Sequence, residues 1–217
     1  MIDNTIQIDR KKDLEDKAIQ FMIKRLFDII MSLIAIIILL PVYIIIGIAI
    51  RIDSKGNVLF KQIRVGKDEK LFTIYKFRTM IVNAEKRQEL QIDVNNLENF
   101  VFQSKSDNRI TKVGAFLRKT SLDEIPQFFN VLFGTMSLVG PRPEIPDVVK
   151  YYTDEYKQRL LVTPGITGLA QVSGRGEIEL GKTIKFDLTY IKKFSVWFDL
   201  EIIVKTVTSV FKKEGAF

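Results

Sequence analysis

The hydrophobic pattern of the chain is dominated by one uncharged apolar run at residues 29–50, which is broken once by Pro41. As one straight helix the run would measure about 33 Å, which is enough to cross a hydrocarbon core of about 30 Å. Lys24 and Arg25 precede the run and Arg51 follows it. Because basic residues favour the cytoplasmic side, we expect both ends there, as in a re-entrant helix-break-helix hairpin. A spanning helix kinked at Pro41 is the equal alternative.

Downstream of this run, two segments rich in β-forming residues, 58–63 and 71–77, enclose the polar turn 66–70. This order predicts a β-hairpin. Since successive side chains of a strand alternate between its two faces, Lys76 and Arg78 are expected to share one face.

The remaining pattern is mostly helical. Residues 81–97 are mostly polar and predict a surface helix, whereas the short apolar run 169–172 lies between glycine-rich turns and predicts a short strand. Apolar residues mixed with lysines over 194–213 predict an amphipathic helix. That helix could lie on a membrane, pack on the core, or form an interface with a second copy, and the pattern leaves these possibilities open.

These elements predict an α/β fold that is mostly helical, with one small β-hairpin and a membrane segment. We divide the chain into a polar N-terminal arm (1–21), a re-entrant membrane hairpin (22–52) and a cytosolic domain at the membrane surface that ends in the amphipathic helix (53–217). At 217 residues the chain has room for one modest core beside the anchor.

The charge of the chain indicates an anionic partner. Lysine and arginine exceed aspartate and glutamate by 33 to 26, which gives a net charge of +7 and a pI near 9.4. Phospholipid, a nucleotide diphosphate or nucleic acid would each fit such a chain. We find no helix-turn-helix, zinc-binding or RNA-recognition pattern, and anionic lipid already accounts for lysines near a membrane segment. We therefore expect no nucleic-acid partner.

Two residue types are missing altogether, since the chain contains neither cysteine nor histidine. This excludes disulfides, thiolate nucleophiles, imidazole metal ligands and the Ser-His and Cys-His catalytic pairs. A nucleophile or base would then be a carboxylate, with lysine or tyrosine as alternatives. Any metal ion would be a hard cation bound by oxygen.

Two adjacent carboxylates, Asp123 and Glu124, are the strongest candidates for chemistry. The structural interpretation is a helix start, in which Ser121 and Glu124 form a capping box, or Asp123 is the cap and Pro126 lies in the first turn. The functional interpretation is that ionised Asp123 attacks phosphorus to form an acyl phosphate, while Glu124 binds Mg²⁺ against a diphosphate. The pattern alone leaves both interpretations open.

Phosphoryl transfer also requires cations around the transferred group. The candidates for binding phosphate are Lys76, Arg78, Arg118, Arg142 and Arg175. Arg142 stands out because prolines on both sides restrict its backbone and pre-position its guanidinium group. For each of the other four, taken alone, a solvated surface charge is the simpler interpretation.

Together these motifs resemble the bacterial sugar transferases, and among them the monotopic phosphoglycosyl transferases in their minimal catalytic form. The resemblance covers the chain from about residue 22 onward. It rests on motifs that occur in this order: Lys24-Arg25-Leu26-Phe27-Asp28, Pro41, Lys76-Phe77-Arg78-Thr79-Met80, Arg118-Lys119-Thr120-Ser121-Leu122-Asp123-Glu124, Gln127-Phe128-Phe129-Asn130-Val131, residues 134–143, residues 164–168 and Gln171-Val172-Ser173-Gly174-Arg175.

The resemblance implies a reaction and its participants. Proteins of this family transfer a sugar 1-phosphate from a UDP-sugar to a polyprenyl phosphate, such as undecaprenyl phosphate, and release UMP. This step initiates the assembly of an envelope glycan, such as capsule, exopolysaccharide or lipopolysaccharide. The resemblance further implies that residues 53–217 form a catalytic domain on the cytoplasmic face of the bacterial inner membrane, in contact with membrane lipids.

The resemblance also implies roles for individual positions. Asp123 matches the nucleophile that forms a covalent phosphosugar intermediate, and Glu124 matches its partner associated with Mg²⁺. Arg118 and Arg142 match basic residues close to this pair. Pro41 matches the break of the re-entrant helix, although leucine precedes it where many relatives have serine.

A different class of function competes with catalysis. A non-catalytic, membrane-anchored basic scaffold in glycan assembly would share the apolar run and the positive charge, but it would not require Asp123 or Glu124. The sequence does not choose the sugar, the glycan pathway or the oligomeric state, and a homo-oligomer is possible.

Overall fold

One long helix, α1 (Ala18–Asp53), forms the N-terminal part of the structure, a computed structural model that describes residues 16–84, 94–99, 108–174 and 178–211. The helix begins at Ala18 instead of residue 22 and continues through Pro41. The break that we expected at Pro41 is therefore not an interruption of the helix. Small adjustments of the neighbouring turns allow an apolar helix to contain a proline, although one backbone hydrogen bond is lost.

Helix α1 is long and apolar enough to cross a membrane, and most of its apolar surface is exposed. Both of its ends pack against the rest of the protein. Lys24, Asp28 and Ser32 are buried near the first end, and Ile46 and Ile50 are buried near the second. The large side chains between these ends, Leu33, Ile37, Ile38 and Leu40, are 46 %, 64 %, 68 % and 56 % exposed. The helix therefore contacts the domain through one face, and its outward apolar side chains are exposed along its length, from Ile19 to Ile52.

The predicted hairpin is confirmed. Strands β1 (Leu59–Val65) and β2 (Leu71–Phe77) pair in antiparallel register from Leu59 opposite Phe77 to Val65 opposite Leu71. The turn between them contains Asp68 and Glu69, both with positive φ. Because Lys76 is the penultimate residue of β2, the hairpin carries it to the end of the strand.

After the hairpin the described chain forms short helices that turn sharply into one another. Helix α2 (Lys112–Lys119) is capped by the Thr111 hydroxyl, which accepts a hydrogen bond from the backbone N–H of Gly114. One turn of 3-10 helix (Leu122–Glu124) follows, and then helix α3 (Gln127–Phe133). Two sharp turns thus place the sequence Asp123-Glu124 between α2 and α3.

A two-stranded parallel sheet, which the sequence pattern did not predict, organises the second half. Strand β3 (Ser137–Val139) pairs with β4 (Gly165–Thr167). Between them lie α4 (Pro146–Val149), α5 (Asp154–Lys157) and one turn of 3-10 helix (Gln158–Leu161).

The strand predicted at residues 169–172 is wrong, because this segment belongs to helix α6 (Leu169–Gly174). The extended segment lies just before it, in β4. Leu169 and Val172 pack on the same apolar cluster, at the spacing of one helical turn. The tight approach of Gly168 to the backbone of Gly140, where an added Cβ would lie 2.3 Å from the Gly140 carbonyl oxygen, marks the point at which strand becomes helix.

The described chain ends with α7 (Leu180–Lys193) and α8 (Val196–Phe211). Helix α8 packs on the core, which is one of the possibilities left open by the sequence. Ile202 is fully buried in the core, whereas Trp197 and Val204 are 81 % and 62 % exposed. One face of α8 is therefore a core face, and another presents apolar side chains outward. Most of the helix predicted at 81–97 lies outside the described residues, and its last part belongs to a 3-10 helix (Val94–Asn99).

Candidate active site

The adjacent carboxylates lie in the 3-10 turn between α2 and α3. Ser121, just before the turn, has a left-handed backbone (φ 56°, ψ 16°), and its side chain caps no helix. Helix α3 begins after Pro126 without a side-chain cap. The capping interpretations of Ser121, Asp123 and Glu124 are therefore wrong. Their turn does not serve to start a helix, and a non-glycine residue in this conformation costs roughly 1–3 kcal/mol that other contacts must offset.

Apolar contacts hold this turn against the second end of α1. Leu122 and Ile125 flank the carboxylates and pack on the cluster that contains Ile46 and Ile50. The Tyr43 hydroxyl donates a hydrogen bond to the Ile125 carbonyl at 2.6 Å. The carboxylate pair is thus attached directly to the long apolar helix.

Two cations from distant parts of the chain converge on Glu124. Lys76 Nζ, from the end of β2, lies 2.6 Å from Glu124 Oε1. Arg142 Nη2, from the loop after β3, lies 3.0 Å from the same oxygen. The side chains of Lys76 and Glu124 are only 17 % and 19 % exposed, so both charges depend on each other for stabilisation.

These surroundings give the two carboxylates different pKa values. Burial raises the pKa of Asp123 to about 6, although Lys76, Arg142 and Arg118 oppose the rise. Burial would also raise the pKa of Glu124, but the contacts with Lys76 and Arg142 outweigh it and hold that pKa well below its usual range. At neutral pH Glu124 is a fixed anion, and Asp123 is an ionised carboxylate of raised basicity.

The other predicted cations have different positions. Arg118 lies near Asp123, where its charge lowers the pKa of that carboxyl, and its Nε donates to Thr79 Oγ1 at 2.9 Å. Arg78 is directed elsewhere, because its guanidinium group donates to the carbonyls of Ser54 and Lys55 at the end of α1. The structure thus places Arg78 at the helix end and not beside the carboxylates, and its role in phosphate binding stays a prediction. Arg175 lies outside the described residues.

Several residues that support the site were not among the predicted ones. Asn130, in α3, accepts a hydrogen bond from Tyr75 N–H and donates to the Thr73 carbonyl, so it fixes the strand that carries Lys76. Gln127 is buried beside Lys76 and Arg142. A small cleft opens at this point, lined by Arg64, Ile74, Lys76, Gln127, Arg142, Pro143 and Gly165. Asn130 and Gln127 both belong to the motif at 127–131, but their type alone carried no signal of this role.

The first end of α1 is tied to the strand that leads to Arg142. Lys24 Nζ donates to the Val139 carbonyl and forms an ion pair with Asp199 of α8. Asp28 Oδ1 accepts a hydrogen bond from the Leu138 N–H at 3.0 Å. Contacts at the two ends of α1 thus reach both sides of the candidate site, the strand before Arg142 and the turn that contains Asp123.

A metal ion would find few protein ligands here. Among the described residues no group of three Asp or Glu side chains forms a ready-made site. Magnesium, however, is commonly bound by one or two carboxylates together with substrate phosphates. Both ion pairs of Glu124 fall on Oε1. Asp123 and Glu124 therefore suit Mg²⁺ only in the presence of a phosphate ligand that completes its coordination.

The chemistry that this arrangement favours is transfer of a phosphoryl group. A carboxylate of raised pKa, next to a second carboxylate whose charge is neutralised, is a suitable nucleophile at neutral pH. Lys76, Arg118 and Arg142 supply positive charge beside the carboxylates, which phosphoryl transfer requires. The nearby apolar helix indicates that the site works at a membrane.

Comparison with known proteins agrees with this chemistry. The UDP-glucose:undecaprenyl-phosphate glucose-1-phosphate transferase of Klebsiella pneumoniae is 44 % identical over 207 residues, which cover 92 % of this chain and 42 % of that protein. The undecaprenyl-phosphate galactose phosphotransferase of Salmonella typhimurium is 41 % identical, over 90 % of this chain and 42 % of that protein. An uncharacterised sugar transferase of Haemophilus influenzae is 43 % identical with the same coverage.

This chain thus spans less than half the length of these relatives. The family model described as bacterial sugar transferase matches residues 19–213, which include α1, both carboxylates and the Arg142 loop. The chain belongs to the bacterial sugar transferase family.

Proposed function

We propose that this protein transfers a sugar 1-phosphate from a UDP-sugar to a polyprenyl phosphate, such as undecaprenyl phosphate, and releases UMP. The observation that carries the proposal is the contact of Glu124 with Lys76 and Arg142 beside Asp123, whose pKa is about 6. The names of relatives that are 41–44 % identical support the same reaction. A scaffold would not require a buried carboxylate of raised pKa at this position.

In the first step, a carboxylate oxygen of Asp123 attacks the phosphorus that carries the sugar. An O–P bond forms to Asp123, the bond between this phosphorus and the bridging oxygen breaks, and UMP leaves with that oxygen and its electron pair. We assign to Arg142 and Lys76 the neutralisation of charge on the transferred group and on the leaving phosphate, because both lie beside the carboxylate pair. Arg118, close to Asp123, stabilises the ionised nucleophile before attack.

In the second step, a phosphate oxygen of the polyprenyl phosphate attacks the same phosphorus. The bond to Asp123 breaks, the carboxylate is regenerated, and the product is a polyprenyl diphosphate sugar. No proton transfer to Asp123 is required, because an acyl phosphate already has a good leaving group. This explains how a site without histidine can catalyse both steps.

Mg²⁺ is the cofactor that we propose, with Glu124 as its protein ligand and Asp123 nearby. When bound, it would neutralise charge on the diphosphate. The role of the protein is to hold Glu124 ionised, which the contacts with Lys76 and Arg142 achieve.

We also propose that α1 is re-entrant, so that both of its ends lie at the cytoplasmic face of the bacterial inner membrane. Contacts of Lys24 with Asp199 and of Tyr43 with Ile125 tie the two halves of α1 to one domain, and the exposed apolar middle is left for lipid. Basic residues flank the helix on both sides. This position would keep Asp123 near the headgroups, where the phosphate of a lipid acceptor lies.

The reaction is tested by measuring UMP release from the full chain reconstituted in lipid nanodiscs, with polyprenyl phosphate, Mg²⁺ and UDP-glucose, UDP-galactose or UDP-N-acetylglucosamine. We expect release with at least one sugar, and a loss of at least about 10³-fold in Asp123→Asn. Asp147→Asn is the matched control, because this exposed carboxylate of α4 pairs only with Lys150 among the ion pairs described.

The covalent intermediate is tested separately. Without the acceptor lipid, the intact mass of the wild type should increase by one sugar phosphate, and that of Asp123→Asn should not. UMP release without a mass increase in rapidly quenched samples would contradict the two-step reaction. No release from any donor would favour the scaffold. Full activity in Asp123→Asn would show that Asp123 is not the nucleophile.

A further inference from the structure

The loop that carries Arg142 is held along its whole backbone. Four successive carbonyl groups, those of residues 141–144, each accept a hydrogen bond. The donors are Gly165 N–H to Pro141 (2.9 Å), Arg159 Nη2 to Arg142 (2.9 Å), Arg64 Nη1 to Pro143 (3.1 Å) and Val65 N–H to Glu144 (2.8 Å). Two of these four donors are arginine side chains. The carbonyl groups of a loop normally accept hydrogen bonds from backbone N–H groups or water, so the use of two arginine side chains is a specific feature of this loop.

Arg159 is the more deeply placed of the two arginines, since its side chain is 1 % exposed. Its Nε and Nη2 lie 2.8 Å and 2.6 Å from Asp187 Oδ2, and its Nη1 donates to the Tyr152 hydroxyl at 2.7 Å. Glu144 Oε1 lies 3.6 Å from Nη1. A buried ion pair of this kind often contributes little to stability compared with an apolar replacement. Stability alone therefore does not account for Arg159.

The contact with Arg142 offers another reason. The Arg142 side chain is 41 % exposed, so few packing contacts fix its position. Its direction depends on the backbone from which it extends, and Arg159 holds the carbonyl of that same residue. From there the Arg142 guanidinium group spans to Glu124 Oε1 at 3.0 Å. A chain of contacts thus connects Asp187, Arg159, the backbone of Arg142 and Glu124.

We infer that Arg159, oriented by Asp187, is a positioning residue of the transfer reaction: it holds the backbone of Arg142 so that the Arg142 guanidinium group meets Glu124 and the phosphate. This inference rests on the proposed function. Arg159 itself touches no reacting group in this arrangement. Its effect on the reaction must therefore pass through Arg142.

A double-mutant cycle tests this dependence. The variants are Arg159→Lys, Arg142→Gln and the double variant, and kcat and KM for UMP release are measured in nanodiscs. Lysine keeps the positive charge but cannot donate to Asp187, Tyr152 and the Arg142 carbonyl together. We expect Arg159→Lys to lower kcat about tenfold in the wild type and less than about twofold when Arg142 is already glutamine.

A merely structural role predicts a different result. In that case Arg159→Lys would lower activity by the same factor in both backgrounds, and this outcome would overturn the inference. Ile184→Val is the control for a general loss of core packing, because Ile184 is 1 % exposed on the helix that carries Asp187. It should lower the unfolding temperature while kcat changes by less than about twofold.

Two further measurements keep the result decisive. If Arg159→Lys does not fold, Asp187→Asn replaces it, since the amide preserves the shape and removes the charge that orients Arg159. Hydrogen exchange of the peptide that contains residues 142–149 should be faster in either variant, and unchanged exchange would contradict the inference. If the wild type releases no UMP with any donor, the proposed function fails first, and the inference about Arg159 fails with it.

Discussion

Asp123 and Glu124 are neighbours in sequence, and the charges around each one differ enough to separate their pKa values. Because burial raises the pKa of Asp123 to about 6, the fraction of ionised nucleophile falls below that pH. We expect kcat/KM for UMP release to decrease tenfold for each pH unit below about 6. Arg142→Gln removes a cation that lowers this pKa and should move the decrease to higher pH. A profile that stays flat down to pH 5 would show that Asp123 is not the group that must be ionised.

The same pKa shift predicts an effect on stability. An aspartate has a pKa near 3.9 in an unfolded chain, so Asp123 ionises less readily in the folded protein than in the unfolded one. Its ionisation therefore destabilises the fold: the effect is negligible below about pH 4 and reaches its full size above about pH 6. Asp123→Asn should therefore raise the free energy of unfolding by up to about 3 kcal/mol at pH 7.5, and by little at pH 4. Thermal unfolding in detergent at both pH values measures the difference, with Asp147→Asn as the exposed control.

Glu124→Gln should lower the free energy of unfolding at neutral pH, whereas Asp123→Asn should raise it. Burial alone would raise the pKa of Glu124, but Lys76 and Arg142 hold it below its usual range, so the ionised form stabilises the fold above about pH 4. The substitution leaves Lys76 and Arg142 without their shared anion, and we expect a loss of about 2 kcal/mol at pH 7.5. The same thermal unfolding measurements test this. If Glu124→Gln were stabilising at neutral pH, the assigned charges of the pair would be wrong.

At the level of single residues, the sequence identified the carboxylates and three cations that lie near them, Lys76, Arg118 and Arg142. Charged residues near prolines, strand ends and other charged motifs are visible locally. Arg78 occupies a position that the strand pattern did not indicate. It lies one residue beyond the end of β2, and its guanidinium group is directed to the carbonyls at the end of α1. Arg159 was missed because the sequence around it resembles a solvated surface, and only the tertiary fold surrounds it with Asp187 and Tyr152.

At the level of elements, the packing of α2 on the segment after β2 positions Arg118. A Cβ added at Gly114 would lie 2.1 Å from the Thr79 carbonyl oxygen, whereas one at Gly47 would find ordinary contact at 3.6 Å from Val58. Gly114→Ala should separate α2 from Thr79, cost roughly 1–3 kcal/mol and lower kcat, since Arg118 donates to the Thr79 hydroxyl. Gly47→Ala is the matched control and should be neutral or stabilising. Equal effects of the two substitutions on unfolding temperature and kcat would contradict this packing.

The elements were predicted to different degrees for a physical reason. The hairpin and α1 have strong local patterns, two β-rich runs around a turn and one long apolar run. The pairing of β3 with β4 depends on contacts between residues 137 and 165, far apart in sequence, and each strand is only three residues long. The α6 segment has an apolar composition that fits strand or helix equally, so only the neighbouring β4 decides it.

At the level of the whole molecule, the course of α1 decides where the site works. A straight helix of 36 residues would be about 54 Å long, well beyond the thickness of a bilayer core, and both of its ends contact the same domain. The outward apolar side chains of α1 are exposed along its length, from Ile19 to Ile52, which suits contact with lipid. These facts favour an α1 that enters the membrane and returns to the same face.

Because the chain has no cysteine, single introduced cysteines can report this course directly. Asp16→Cys and Asn57→Cys lie outside the two ends of α1 at exposed positions, and Ile38→Cys lies in its exposed middle. In inverted vesicles of the inner membrane, a membrane-impermeant maleimide should label the first two positions and not the third. A spanning helix would instead place the residue 16 and residue 57 labels on opposite faces.

Pro41→Leu should then shift residue 16 to the opposite face and lower UMP release, because proline disfavours a straight helix at that point. Unchanged labelling together with unchanged activity in Pro41→Leu would mean that the contacts of Lys24 and Tyr43, and not the proline, return the helix to the surface.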